Sequence, residues 1–404
     1  MLDFSQVAAQ MAAFAKEEVT SGAILAEARQ EAARRLRSAS PGWADVQGKI
    51  DSSKTSWLMP SWRERPDQTF PAPAMPEPFT VLATDGSQIV ADRHDLALCF
   101  LINIGYVALR YGQQPSATLR SHAKLATPDA SLLSDAASDQ DPIAPKRLSM
   151  HCRMQEIAGL AESILKENSG GSAAIPSVAL CDGSLILWPL ITESDGEYRR
   201  QILTMFQANL DAAREHGVPV AGYISRPMSK DVVNSLRVAV CPYEIANCDL
   251  KCRARNAPGL EYVAPPCGGT ERVTDADLFG RVLRNGERSA IFYSGSKILC
   301  DQHYEQRHRI AFFYLHVGRE VARVEIPAWV AEDAVLVDRV HALCLDQARK
   351  GDGYPVAISE AHEQAIVRGS DRAAFFHLME RHFVPEGIPV GTTQKALSKR
   401  ARRV

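Results

Sequence analysis

Two short stretches of this sequence share one form, an apolar run that ends in Asp-Gly-Ser. The first is Phe79-Thr-Val-Leu-Ala-Thr-Asp85-Gly86-Ser87 and the second is Val178-Ala-Leu-Cys-Asp182-Gly183-Ser184. Each places a carboxylate where a buried strand is expected to emerge at a sheet edge. The glycine after it lets the backbone turn sharply or approach a ligand closely. Asp-Gly alone is above all a turn signal, but a hairpin turn needs no matching apolar run before it in both copies. Carboxylates delivered from two strands can hold one pair of divalent cations, as metal-assisted phosphodiester hydrolysis requires. Magnesium and manganese take oxygen ligands in an octahedral shell, commonly a few carboxylates completed by waters and phosphate oxygens.

A third carboxylate is expected from the helix read over 147–166, whose apolar positions are Met154, Ile157, Leu160, Ala161, Ile164 and Leu165. At 100° per residue Glu156 falls on the edge of that stripe, beside Arg153 and Leu160, and Glu162 falls mostly on the far side. The run Asn168-Ser-Gly-Gly-Ser separates this helix from Asp182, so Glu162 stays open as a substitute for Glu156. His362 lies in Glu360-Ala361-His362-Glu363; position 366 is Ile, so this is not the two-histidine helix of a zinc protease. Tyr354 sits between Gly353 and Pro355, which favours a rigid, partly extended backbone. Four of the nine cysteines, Cys241, Cys248, Cys252 and Cys267, fall close together, with gaps of six, three and fourteen residues. A zinc ribbon prefers two tight pairs, so a structural Zn²⁺ or iron–sulfur site and simple free thiols are both open readings. Cys99 and Cys181 lie in apolar runs and read as core.

The elements that must position these residues follow from periodicity. Residues 5–37 read as helix, with Thr20-Ser21-Gly22 as its expected interruption, and serve either as a surface helix docked on the core or as a dimerisation or partner helix. The proline-rich stretch 59–78 is neither helix nor central strand and reads as a linker. Strands are expected at 79–84, 89–91, 96–104 and 106–111, opening an α/β domain with an antiparallel meander. The polar stretch 113–145 reads as loop or weak helix. Strand–helix alternation resumes after 178, with a helix near 195–216, a strand at 218–224 and a helix at 229–238. A short helix at 275–283, strands at 290–293, 310–316 and 322–326, one long helix from 327 to about 350, and helices at 359–367 and 371–381 complete the body. The tail Lys395-Ala-Leu-Ser-Lys399-Arg400-Ala-Arg402-Arg403 is basic; it reads as a solubilising end or as an arm that touches DNA or a partner.

The chain has 404 residues, 46% of them hydrophobic, enough for a large core in one domain or two. A net charge of −2 argues against a protein that coats nucleic acid non-specifically, so any such contact must come from local patches. No run of 18 apolar residues exists, no signal peptide is visible, and nine cysteines, an odd number, suit a reducing cytoplasm.

Taken together, Thr84-Asp85-Gly86-Ser87, Asp182-Gly183-Ser184-Leu185, Gly222-Tyr-Ile-Ser-Arg-Pro227, Arg323-Val-Glu-Ile-Pro-Ala-Trp-Val330 and Gly353-Tyr354-Pro355 leading to Glu360-Ala-His362-Glu363 resemble the NurA family of nucleases, over about 79–382. The resemblance implies an α/β fold with an RNase H-like mixed sheet flanked by helices, preceded by an N-terminal helical arm. It implies a homodimer with Mn²⁺- or Mg²⁺-dependent 5′-to-3′ exonuclease and single-strand endonuclease activity on DNA, acting in DNA-end processing beside the HerA-type hexameric DNA-translocating ATPase. Carried over by motif, the catalytic residues are Asp85, Glu156, Asp182, Tyr354 and His362. The metal ligands are Asp85, Glu156, Asp182 and His362, and Arg226 and Lys230 are candidates for DNA phosphate contacts at a helix start. The expected division is a helical arm over 1–58, the linker over 59–78, a nuclease domain over 79–385 with a cysteine-containing insertion at 241–267, and a basic tail over 386–404. A non-catalytic adaptor of the ATPase that keeps the fold is the alternative.

Overall fold

The computed structural model describes residues 3–90, 99–127, 145–168, 175–252, 265–300 and 304–387. In chain order the elements are α1 (Phe4–Ala39), α2 (Trp43–Asp51), β1 (Ser61–Trp62), β2 (Thr69–Phe70), β3 (Phe79–Val90), β4 (Phe100–Tyr111), β5 (Ser116–Ala126), α3 (Pro145–Asn168) and β6 (Ser177–Asp182). They continue with α4 (Gly196–Glu215), β7 (Val220–Ile224), α5 (Asp231–Ala239), α6 (Cys248–Lys251), α7 (Asp275–Phe279), β8 (Arg288–Ser289), β9 (Phe292–Tyr293) and α8 (Lys297–Cys300). The last are β10 (Ile310–His316), β11 (Val321–Pro327), α9 (Ala328–Ala331), α10 (Ala334–Lys350), α11 (Val356–Ala365) and α12 (Gly369–Phe383). The chain divides into two compact units, one of Met1–Ala74, Tyr223–Gln302 and Arg309–Leu345, the other of Met75–Gly222, His303–His308 and Asp346–Val404.

In the second unit β3, β4 and β5 form an antiparallel meander, and β6 returns to lie parallel to β3 on its other side. The strand order β5-β4-β3-β6, with β7 next in line, is the RNase H-like order. The return from β5 to β6 needs a crossover, and α3 supplies it. Alternation along the strands assigns the faces. Phe100, Ile102 and Ile104 of β4 pack with Leu148 and Cys152 of α3. Asn103 of β4, on the opposite face, donates from Nδ2 to the carbonyls of Gln364 (3.1 Å) and Ala365 (3.0 Å) at the end of α11. So α3 covers one face and α11 the other.

In the first unit β1, β9, β10 and β11 follow one another in antiparallel order, with β2 and β8 at the side. Their core joins Phe279, Phe292, Phe312 and Tyr314 with Val232 and Leu236 of α5 and with Ala32 and Leu36 of α1. Arg323 of β11 is buried and donates to Asp231 Oδ2 of α5 and to Glu325 Oε1, each at 2.9 Å. The Arg-Val-Glu stretch quoted above is thus part of the core's charge pairing.

Several expectations are corrected. α1 runs unbroken through Thr20-Ser21-Gly22. A cap from Asp3, whose side chain accepts from Ser5 N and Gln6 N, and packing of its second half outweigh one glycine, which costs only about 1 kcal/mol. The stretch 59–78 holds two short edge strands, β1 and β2, paired to β9 and β8. The runs at 79–84 and 89–90 are one strand, β3, as are 100–104 and 106–111 in β4, and residues 91 and 96–98 of the expected strands lie outside the described residues. Residues 116–126 of the supposed loop are β5, exposed along nearly all its length and held by its ladder to β4. The expected long helix breaks into α9 and α10, and α11 starts at Val356, ahead of the expected start at 359. Leu165, counted among the apolar positions of α3, is 44% exposed. The basic run 395–403 lies outside the described residues.

Candidate active site

Each residue of the first Asp-Gly-Ser has a separate task. It lies inside β3 rather than at a turn, with Asp85 opposite Gly105 of β4. Asp85 and Ser87 face α11, and Thr84 and Gly86 face α3. Gly105 has no side chain where the backbone of α11 crosses it, at Ala361 O and Ala365 N, and a Cβ there would collide with both. That seat brings His362 Nδ1 to 2.7 Å from Asp85 Oδ2. Ser87 Oγ donates to the carbonyl of Ala365 and, with Asn103, satisfies carbonyls that the last turn of a helix leaves free.

Gly86 serves the opposite face. A Cβ at this position would stand 2.7 Å from Glu156 Oε1 and 2.8 Å from Cys152 Sγ. The missing side chain therefore admits the Glu156 carboxylate to the strand beside Asp85. Thr84 Oγ1 fixes the helix in this position by donating to the Glu156 carbonyl at 2.9 Å. Burial pushes the Glu156 carboxyl up, the Arg153 guanidinium opposes that shift, and the charge of Asp85 adds to it. Burial, with Glu156 and Asp85 nearby, pushes the Cys152 thiol up to about 12, so it stays protonated.

The second Asp-Gly-Ser does end a strand. β6 pairs with β3 through Thr84 and Cys181, which puts Asp182 next to Asp85 on a strand about 4.8 Å away. Tyr354 donates its hydroxyl to Asp182 Oδ1 at 2.7 Å. Gly183 takes φ +79°, a left-handed conformation that suits glycine, and turns the chain. Ser184 Oγ accepts from Ile186 N and from Trp188 Nε1, both at 3.0 Å. Tyr354 is aimed by a tight turn after α10, with Asp352 at φ +56° and Gly353 at φ +113°, before Pro355 caps α11.

The structure thus brings Asp85, Glu156, Asp182, Tyr354 and His362 together. Glu162, 53% exposed and paired with Lys166, is not the helix carboxylate of the site. Arg153 escaped the residue-level reading. Its guanidinium donates to Glu156 Oε2 (2.9 Å), the Asp182 carbonyl (3.0 Å) and the Ser184 carbonyl (3.1 Å). The signal was present, because an arginine three residues before a glutamate on one helix face can reach it. Arg226 and Lys230 lie in the first unit, with partners there: Arg226 is 88% exposed beside Glu320, and Lys230 donates to the Glu271 carbonyl.

Among the described residues no three His, Cys, Asp or Glu side chains stand together as a group that could hold a metal. Each site carboxylate is engaged by a neighbouring side chain instead: Asp85 by His362, Glu156 by Arg153 and Asp182 by Tyr354. Their chemistry still fits a hard divalent cation. All are oxygen donors, and the repulsion between Asp85 and Glu156 is what such a cation relieves. The cysteines fit less well. Cys241, Cys248, Cys252 and Cys267 line one pocket of only about 10 Å³, together with Arg237, whose guanidinium lies 3.9 Å over the Trp57 ring. The guanidinium fixed there opposes a cation. Of the two open readings, the described residues show no group that could hold a metal, and none of these four cysteines is in a disulfide.

Comparison with known families matches residues 79–367, most of the chain, to the NurA domain. No curated protein matches. Among solved structures, the crystal structure of LC9-RNase H1, a type 1 RNase H with the type 2 active-site motif, is similar at 11% identity, with a TM-score of 0.22, over 40% of this chain and 71% of that one.

Proposed function

The chain belongs to the NurA family, a family of nucleases, and we propose that it is a divalent-metal-dependent deoxyribonuclease. The observation that carries this reading is the pairing of Asp85 and Asp182 on adjacent parallel strands, with Glu156 admitted over Gly86. Asp85, Glu156 and Asp182 would hold Mn²⁺ or Mg²⁺, with His362 as a further ligand. The bound cations supply a water of lowered pKa and neutralise charge on the phosphate. The chain's own groups do the rest. Arg153 holds Glu156 in place and keeps its charge compensated. With Nδ1 against Asp85, the His362 ring has Nε2 left either to serve as the further ligand or to orient the attacking water. The Tyr354 hydroxyl, which donates to Asp182, would turn toward a phosphate oxygen.

The finer reading extends the family resemblance. The protein would act as a cytoplasmic homodimer on DNA ends, with 5′-to-3′ exonuclease and single-strand endonuclease activity, beside a HerA-type ATPase. Arg226 and Lys230 would contact phosphates. The test is cleavage of end-labelled single- and double-stranded DNA with Mn²⁺, Mg²⁺ or EDTA. Wild type is expected to cleave only with metal, and Asp182→Ala to lose at least about a hundredfold in rate, since about 2.7 kcal/mol of barrier corresponds to that factor. Cleavage that survives both EDTA and Asp182→Ala would overturn the reading. Wild type silent even with the ATPase and ATP present would favour an adaptor.

A further inference from the structure

A groove of about 690 Å³ opens beside the carboxylates, between the start of α3 and the turn that follows the second Asp-Gly-Ser. Its volume is in the range of small-molecule clefts, roughly 300–1,000 Å³. The largest exposed side chain lining it is Trp188, 38% exposed. An exposed indole normally has no fixed place, but this one is anchored. Its Nε1 donates to Ser184 Oγ, so the serine of the motif that delivers Asp182 also holds the ring. The opposite wall carries Lys146, exposed to solvent, and Arg153, whose guanidinium binds the Asp182 and Ser184 carbonyls. The two walls are braced. Arg147 is buried and pairs from α3 with Glu193 at 3.1 Å and Asp195 at 3.4 Å, just past the Trp188 turn. The groove therefore borders the site through Arg153 and Ser184, is held open by fixed contacts, and is apolar along Ile186, Leu187 and Pro189 and cationic at its rim.

We propose that this groove is the nucleobase subsite of the nuclease: a base next to the scissile phosphate stacks on Trp188 while Lys146 meets a backbone phosphate. A nucleotide presents a flat apolar base and an anionic phosphate, and the groove offers an indole and a cation to match. Stacking on an aromatic ring tolerates every base and so gives grip without sequence preference. It also requires a base free of its partner, which makes the occupant a single strand. The inference rests on the nuclease reading, because the groove gains its meaning from the neighbouring carboxylates.

The test is binding of a labelled oligothymidylate, and of the same oligonucleotide with abasic positions, to full-length protein in EDTA, followed in parallel by cleavage with Mn²⁺. Trp188→Ala is expected to weaken binding of the intact strand by about 5- to 100-fold, the weight of one base–aromatic stack. Trp188→Phe should keep most of the affinity. Abasic positions should weaken wild type and leave Trp188→Ala nearly unchanged, a pattern that misfolding does not produce. Equal binding by wild type and Trp188→Ala, equal sensitivity of both to abasic positions, or no binding by wild type overturns the inference. Cleavage separates the two ideas. Metal-dependent cleavage without the stacking difference leaves the nuclease reading and removes the subsite, and the stacking difference without cleavage does the reverse.

Discussion

An alanine at position 86 would have to displace the carboxylate that the site depends on. Its Cβ would lie 2.7 Å from Glu156 Oε1, 2.8 Å from Cys152 Sγ and 3.0 Å from Glu156 Cγ, and Arg153 holds the carboxylate at Oε2. Overpacking of this kind costs about 1–3 kcal/mol. Gly86→Ala is expected to lower the urea midpoint modestly and the cleavage rate far more. A midpoint lowered with full activity would show that Glu156 is dispensable. At this scale the sequence was partly legible. Helical periodicity separated Glu156 from Glu162, because burial follows the apolar stripe. It could not reveal that the glycine exists to admit that carboxylate, since Asp-Gly is written identically at a turn and inside a strand, and only the ladder to β4 distinguishes them.

Elements carry the next set of constraints. α11 delivers His362 only because Gly105 and the caps from Ser87 and Asn103 fix its depth and its end. In the first unit, α5 and α7 are joined by a buried carboxyl. Asp275 accepts from the amides of Val232 (3.1 Å) and Val233 (2.9 Å) and from the Tyr314 hydroxyl (2.7 Å). Burial, together with the charge of Asp231, pushes the Asp275 carboxyl up to about 7 from an ordinary value near 3.8. Between those values the folded protein keeps a proton that the unfolded chain releases. The associated stability is full below about pH 4 and is lost as pH rises through the raised folded value. Urea midpoints measured from pH 4.5 to 8 should fall with rising pH in wild type and fall less in Asp275→Asn. Identical slopes would mean that the carboxyl is not protonated in the fold. β5 shows what the sequence withheld at this scale: every residue from Ser116 to Leu125 is exposed, so no alternation marks the strand, and only its pairing partner makes it one.

For the molecule as a whole, the α/β class and the strand–helix alternation after 178 could be read from periodicity, and the motif order led to the family. The interleaving of the two units could not, because each takes three segments of chain and their boundaries fall at 74, 222, 302, 308 and 345, where composition does not change. A further consequence follows from the unequal settings of the two aspartates. Asp85 lies in the middle of a twelve-residue strand paired to β4 along its whole length and to β6 up to Thr84, whereas Asp182 is the last residue of its strand, before a left-handed glycine. Amide protons near Asp85 exchange only when the centre of the sheet opens, and those just after Asp182 exchange through local fluctuations. Deuterium uptake should therefore be slow, on the scale of global unfolding, in a peptide covering 80–88 and orders of magnitude faster at 183–185. One aspartate belongs to the frame and the other to a strand end, so any change in the spacing of the two carboxylates falls on the Asp182 side.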